Sequence, residues 1–228
     1  MNVRLISYTR PHPDFEVEMF DLEKPDHDLQ NLVAYCARVS NPQNQMNNET
    51  SEKLLKYLKK HAHWSPFEMV NVCLEIDTTR DIAHQIVRHR SFSFQEFSQR
   101  YADVNDLKDG FDFRVARLQD PKNRQNSIET DDSELATQWM IQQARVASAA
   151  KDAYEWALEH GIAKEQARAV LPEGLTRTRL YMNGTLRSWI HYCDLRGANG
   201  TQKEHMAIAH ACAEVIAEIY PAMKEDLS

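Results

Sequence analysis

Gln85-Ile86-Val87-Arg88-His89-Arg90-Ser91-Phe92-Ser93-Phe94-Gln95-Glu96-Phe97-Ser98-Gln99-Arg100-Tyr101 packs three arginines, one histidine and three serines among four aromatic rings. Read as the end of a helix that begins near Thr78, the run puts Ile82, Ala83, Ile86 and Val87 on an apolar side. Gln85, Arg88 and His89 then share a flank, because residues three and four apart are neighbours on a helix. Arg90 falls near the apolar side, either as a helix-end cation facing the dipole or as a buried arginine for a ligand. Beyond Arg90, hydroxyls and guanidinium groups alternate with rings. That pattern suits stacking on a planar heterocycle while its phosphate is gripped by a fork of N–H donors. The residues alone therefore read as a nucleotide site.

Working outward, Phe67 to Asp77 alternates Val70, Val72, Leu74 and Ile76 with Asn71, Cys73, Glu75 and Asp77, as in a strand buried on one face. Leu175 to Met182 does the same, with Thr176, Thr178, Leu180 and Met182 opposite Arg177, Arg179 and Tyr181. Val3 to Tyr8 and Phe15 to Phe20 read as an opening hairpin around Pro11-His12-Pro13-Asp14. Helical spacing covers Asp28 to Val39, the stretch around Leu54 to Leu58, Asp132 to His160, and residues 185–195 and 201–219. The long helix carries Trp139, Val146, Ala150, Ala153 and Ala157 on a stripe that should pack on other helices, and Gly161 ends it. The last helix opens with Thr201-x-x-Glu204, a capping box, and stops at Pro221. Asp103 to Asp132 is polar and reads as an irregular excursion. No repeat or low-complexity tract divides the chain. The reading is one α+β domain over residues 1–228, a mixed or antiparallel sheet flanked by helices.

A net charge of −7 argues against a general nucleic-acid binder, since counterion release needs a basic surface. The arginines nonetheless cluster, at Arg88, Arg90, Arg100, Arg114 and Arg117 and again at Arg168, Arg177, Arg179, Arg187 and Arg196. Such clusters fit either small phosphate or carboxylate ligands or a solvated salt-bridge face. The four cysteines form no CxxC pair, so they read as reduced thiols of a cytoplasmic protein. No secretory leader is evident, and no run approaches the roughly 20 apolar residues of a membrane span. None of the six glycines makes a G-x-G-x-x-G or a P-loop, so a nucleotide must be held by side chains. His61 and His63 could pair on a metal, but no third ligand follows at a recognisable spacing, and no metal is expected.

Arg88-His89-Arg90, seven residues, then Ser98 matches the RHR-x7-S signature, and on it the chain resembles the flavin-dependent thymidylate synthases. Further segments follow in the family's order: Ala37-Arg38-Val39-Ser40, His63-Trp64-Ser65-Pro66-Phe67-Glu68, Ala167-Arg168-x-x-Leu171-Pro172, and Leu186-Arg187-Ser188-Trp189 leading to Leu195-Arg196. The resemblance implies that Arg88, His89, Arg90 and Glu96 touch FAD, with Ser40, Ser65, Thr185, Arg187 and His191 completing its pocket. It further implies that dUMP lies against Gln85, Arg88, Glu96, Phe97, Ser98, Gln99 and Arg100, joined by Arg168 and Arg196. NADPH and methylenetetrahydrofolate are the implied co-substrates, and a homotetramer with sites at subunit interfaces is the implied assembly. Gln95 and Thr185 depart from asparagines common in the family, and Gly200 from a histidine of some members.

Cysteine-dependent thymidylate synthases activate uracil by adding a thiolate to C6, and this chain lacks their Pro-Cys-His motif. Cys36 and Cys212 fall at apolar-periodic positions, where a thiol is packing. The family's alternative makes Arg196 the catalytic residue: always protonated, it stabilises negative charge at N3 and O2 while C5 attacks the one-carbon unit. Ser98 has no evident base and is assigned to substrate binding. Two rival readings are a single-stranded RNA-binding module, with rings stacking on bases, and a purely structural salt-bridged helix end.

Overall fold

Three β-branched or leucine side chains at alternate positions, Val72, Leu74 and Ile76, are wholly buried and make Asn71–Thr79 the central strand β2 of the computed structural model. The structure describes residues 2–15, 28–103, 106–107 and 110–223. Strand β1 (Asn2–Tyr8) pairs with one edge of β2, and β6 (Arg177–Thr185) with the other. Strand β3 (Phe92–Glu96) closes the order β1-β2-β6-β3, and every pairing is antiparallel.

The sheet is two-faced because its strands alternate. Leu74, Ile76, Leu180 and Met182 face helices α6 (Leu186–Gly197) and α7 (Lys203–Ala217), which bring Trp189, Ile208, Cys212 and Ile216 into the same core. The Trp189 indole N–H also donates to the Val72 carbonyl at 2.9 Å, so the largest core side chain is hydrogen-bonded as well as buried. Opposite, Glu75 is 3% exposed beneath Arg4 at 2.9 Å and the Tyr181 hydroxyl at 2.9 Å. Arg179 forks onto Asp77 at 2.7 and 2.9 Å beside it. Those bonds satisfy a carboxylate that would otherwise be costly to bury.

Helices α1 (Asp28–Ala37) and α2 (Ser51–Lys60) pack on one another, and α1 also meets the 3-10 turn Ser65–Glu68. Arg38, 6% exposed, binds this end together by donating to the Asn47 carbonyl and to Thr50 Oγ1 at 2.9 Å. The short helix α3 (Arg80–Ile86) follows β2 directly.

Several expectations change. The opening hairpin is not formed as read, because β1 pairs with β2 and residues 13–15 are helical; positions 16–20 of its second strand lie outside the described residues. The helix expected through Arg90 ends at Ile86, so Arg88, His89 and Arg90 sit in the turn between α3 and β3. Phe92–Glu96 is a strand, and the polar excursion contains a small hairpin of β4 (Arg117–Gln119) and β5 (Ser127–Glu129).

The long helix α4 (Ser133–Glu159) is capped by Asp132, whose side chain accepts from the Leu135 N–H at 2.9 Å. Its buried stripe is Gln143, Ala147, Ala150, Tyr154 and Ala157, while Trp139 and Val146 are exposed. Within the chain it packs on the short helix α5 (Lys164–Ala167) and the turn after it. The capping box is not formed: the N-cap is Gln202, not Thr201, with no side-chain cap bond, and Glu204 is ion-paired with Arg114 and Arg117.

Candidate active site

The turn between α3 and β3 is held from both sides. The His89 N–H donates to Ile86 O at 3.0 Å, and the Phe92 N–H donates to His89 O at 3.3 Å. Below it, Phe92 pairs in register with Gly184, and a Cβ at Gly184 would stand 2.4 Å from the Phe92 ring. Only glycine lets that ring lie flat over β6. The ring reaches Trp189 and Tyr192 with centroids at 4.9 and 6.0 Å. Ser188 of α6 donates to Ser91 O at 3.3 Å, tying the turn to the helix that carries the later arginines.

Arg196, in the last turn of α6, donates its Nε–H to His89 Nε2 at 2.9 Å. An imidazole nitrogen that accepts cannot carry a proton, so His89 is neutral with its proton on Nδ1. Burial and then the Arg196 charge both lower its pKa, which agrees with that tautomer. Arg196 makes no ion pair with any described residue, so no described carboxylate cancels its positive charge.

A second group gathers where α6 begins. Trp64 lies over His191 with ring centroids at 4.5 Å, and Arg187 is ion-paired with Glu68, so the Ser65–Glu68 turn meets one face of α6. Ser65, in that turn, is exposed, and so are Ser40, Arg88 and Arg90 elsewhere on the chain. Thr185 is the α6 N-cap, and its Oγ1 accepts from the Ser188 N–H at 3.2 Å. That commits the hydroxyl to the helix end.

The third group lies past β3. Glu96 accepts from Thr178 Oγ1 at 2.8 Å and from Arg80 at 3.5 Å, so this carboxylate already has two partners. The Phe97 N–H extends the sheet to Arg179 O at 2.8 Å. Ser98 Oγ accepts from the Arg100 N–H at 3.4 Å, and no described histidine or carboxylate bonds to it. Gln99 is 3% exposed, and its buried Nε2 has no acceptor among the described residues. An unmet buried donor costs about 1–3 kcal/mol and so points to a ligand acceptor. Arg100 pairs with Glu165 at 3.3 Å, and Lys164 donates to Tyr101 O at 3.3 Å. Arg168 directly follows α5, the helix whose Lys164 and Glu165 make those contacts.

Thus the chain joins the RHR turn to Arg196, and Ser98–Arg100 to the Arg168 segment. No hydrogen bond or ion pair among the described residues links the two halves. Sequence reasoning missed Tyr192, Gln202 and His205, which stand behind Gln85 and His89. Each sits at an unremarkable position on a helix or at its entrance, and only the tertiary contacts mark it. His61 and His63 have ring centroids 6.3 Å apart, with Tyr57 packed against both.

Two cavities lie to one side. One of about 600 Å³ runs between the β4–β5 hairpin and α4, past Arg117, Arg124, Asn126, Leu135 and Trp139. A neighbour of about 370 Å³ is lined by Asp81, Gln143, Gly174 and Trp139. No site residue expected from the sequence lines either; both reach Gln202, to which Gln85 donates at 2.8 Å.

Residues 22–222 match the family model Thy1, described as thymidylate synthase complementing protein. The chain is 46% identical over 227 residues to a protein of Paramecium bursaria Chlorella virus 1 named probable flavin-dependent thymidylate synthase, covering 100% of this chain and 99% of that one. It is 47% identical over 224 residues to the flavin-dependent thymidylate synthase of Synechocystis sp., covering 98% and 97%. Among solved structures, a UMP/dUMP methylase PolB from Streptomyces cacaoi bound with 5-Br dUMP superposes with a TM-score of 0.77 at 24% identity, over 99% of this chain and 93% of that one, and so shares the fold.

Proposed function

This chain belongs to the flavin-dependent thymidylate synthase family, and from that premise we propose that it methylates dUMP at C5 to give dTMP. FAD is the flavin of this reading, methylenetetrahydrofolate the carbon donor and NADPH the reductant. The carrying observation is the 2.9 Å bond from Arg196 Nε to a neutral His89. A guanidinium steered by an uncharged acceptor keeps its full charge and both terminal NH2 groups for a ligand.

For C5 to attack the one-carbon unit the uracil ring must be electron-rich, with negative charge carried at N3 and O2. Arg196 stabilises the charge gathering there, without a covalent bond to the enzyme. Thiolate addition at C6 is poorly served. Burial raises the pKa of Cys36, Cys73 and Cys212, so these groups stay thiols, and Cys193 is buried away from solvent. Gln85, Arg88, Phe97, Ser98, Gln99, Arg100 and Arg168 bind the nucleotide, with the unmet Gln99 amide supplying one donor.

The residues suit a flavin. Ser65, Arg187 and His191 lie around one contact, Ser40 is exposed, and Arg88 and Arg90 are exposed with no described carboxylate partner, ready for phosphate. Bound and reduced, the flavin supplies the hydride that completes the methyl group. Glu96 and Thr185 act behind this pocket, holding Arg80 and the α6 cap.

We further propose a homotetramer that completes each site from several copies. The exposed Leu135, Trp139, Met140, Ile141 and Trp156 of α4 support an apolar contact between chains. No described helix is long and apolar enough to cross a membrane, and the reduced thiols suit the cytoplasm. The RNA-binding alternative gains no support, because Phe92 and Phe94 pack on the core instead of facing solvent. Purified protein given dUMP, methylenetetrahydrofolate and NADPH should be yellow, bleach, and form dTMP only when all three are present. A colourless protein that makes no dTMP with added FAD contradicts the proposal.

A further inference from the structure

Behind Gln85 runs a chain of hydrogen bonds whose direction is fixed at one end. Glu204 is ion-paired with Arg114 at 3.1 Å and with Arg117. Burial alone would raise its pKa, but bonds from Arg117, its own N–H and Gln202, with the charge of Arg114, hold it below the ordinary value. Glu204 is therefore a carboxylate and can only accept. Gln202 must point its amide nitrogen at Glu204 Oε2, 3.0 Å away, which turns its Oε1 toward Gln85. Gln85 in turn must donate from Nε2 to that oxygen at 2.8 Å, leaving its own Oε1 facing His205 Nδ1 at 3.3 Å. An amide oxygen cannot donate, so His205 carries its proton on Nδ1. Its Nε2 must then accept from the Tyr192 hydroxyl at 3.1 Å.

His205 is wholly buried on α7 and takes no part in the chemistry above. We infer that His205 is a positioning residue for pyrimidine recognition: its Nδ1–H locks which way round the Gln85 amide faces the ligand. Locked in this way, Gln85 keeps one N–H and one oxygen lone pair for the uracil edge, in a fixed order. The neutral state that the lock needs is favoured, since burial and then the charge of Arg196 lower the His205 pKa to about 4.

The inference rests on the proposed role of Gln85 in dUMP binding, and the test separates the two. KM for dUMP, kcat and the thermal midpoint are measured on the flavin-loaded protein for wild type, His205→Asn, His205→Gln and His205→Leu. An asparagine amide nitrogen takes the place of Nδ1 and keeps the bond to Gln85, whereas a glutamine takes the place of Nε2 and loses it. Asn should leave KM within about twofold of wild type despite a lower midpoint, while Gln and Leu raise it about tenfold at nearly constant kcat. Gln202→Leu, an exposed change that spares the core, should raise KM similarly. KM values that track the thermal midpoint, or that stay at the wild-type level in Leu and Gln202→Leu, overturn the inference alone. Wild-type protein that neither binds nor converts dUMP overturns the functional reading, and this inference with it.

Discussion

Arg196 and His89 stand 107 residues apart in sequence and 2.9 Å apart in space, with the arginine donating to the imidazole. The bond orders the chemistry of the site. A carboxylate in the place of His89 would orient the guanidinium equally well but cancel its charge. A neutral histidine orients it and leaves the field directed at the ligand.

Acid should weaken the fold through the same cluster. The pKa of His205 is about 4 against an ordinary 6.5, and that of His89 is also lowered, so the unfolded chain binds these protons more readily than the folded one. The stabilising contribution is complete above about pH 6.5 and is lost as pH falls toward 4, on the order of 3 kcal/mol for His205. Thermal midpoints measured across that window should fall, and His205→Asn should flatten the slope. An equal slope in the variant contradicts the assignment.

Gly184→Ala should destabilise the sheet. Its Cβ would meet the Phe92 ring at 2.4 Å, an overpacking that costs about 1–3 kcal/mol. Adding Phe92→Leu should recover part of the loss. Denaturant midpoints of the single and double variants measure it, and additive losses would show that the two residues do not conflict.

Ser98→Ala should weaken dUMP binding and retain turnover at saturating substrate, because Ser98 Oγ accepts from the Arg100 N–H and has no described base beside it. Complete loss of kcat with normal dUMP affinity would make Ser98 a nucleophile.

Each cysteine can be tested singly. Cys36→Ala, Cys73→Ala, Cys193→Ala and Cys212→Ala should all keep most of the wild-type kcat, with Cys212→Ala the least stable because that site is wholly buried. A single variant that folds, binds flavin and dUMP, yet makes no dTMP would restore covalent catalysis.

The sheet was legible where burial follows a strict period. Val72, Leu74 and Ile76, and Leu180 with Met182, alternate because one face is core, though β2 starts only at Asn71, past the 3-10 turn that holds Phe67, and β6 runs on to Thr185. The alternation of Phe92 and Phe94 with Ser93 and Gln95 is equally visible, but in sequence the rings suit a stacking surface as well as a core. They belong to the core, and the distinction depends on Gly184, whose missing side chain makes room for Phe92. The helix through Arg90 was overextended, since the apolar period of Ile82, Ala83, Ile86 and Val87 carries no stop signal while the chain must turn there to enter β3. Of the site, the RHR motif and Arg196 were legible as a family pattern. Local spacing says nothing about His205 or Gln202, because their roles arise only when α7 is packed beside α3.

The most direct measurement is tritium release from dUMP labelled at C5, followed in wild-type protein and in Arg196→Ala with flavin occupancy checked in each. Wild type should release tritium to water only when both methylenetetrahydrofolate and NADPH are present. Arg196→Ala should hold its flavin and release none above background. Release by Arg196→Ala at the wild-type rate would contradict the catalytic role given to that guanidinium.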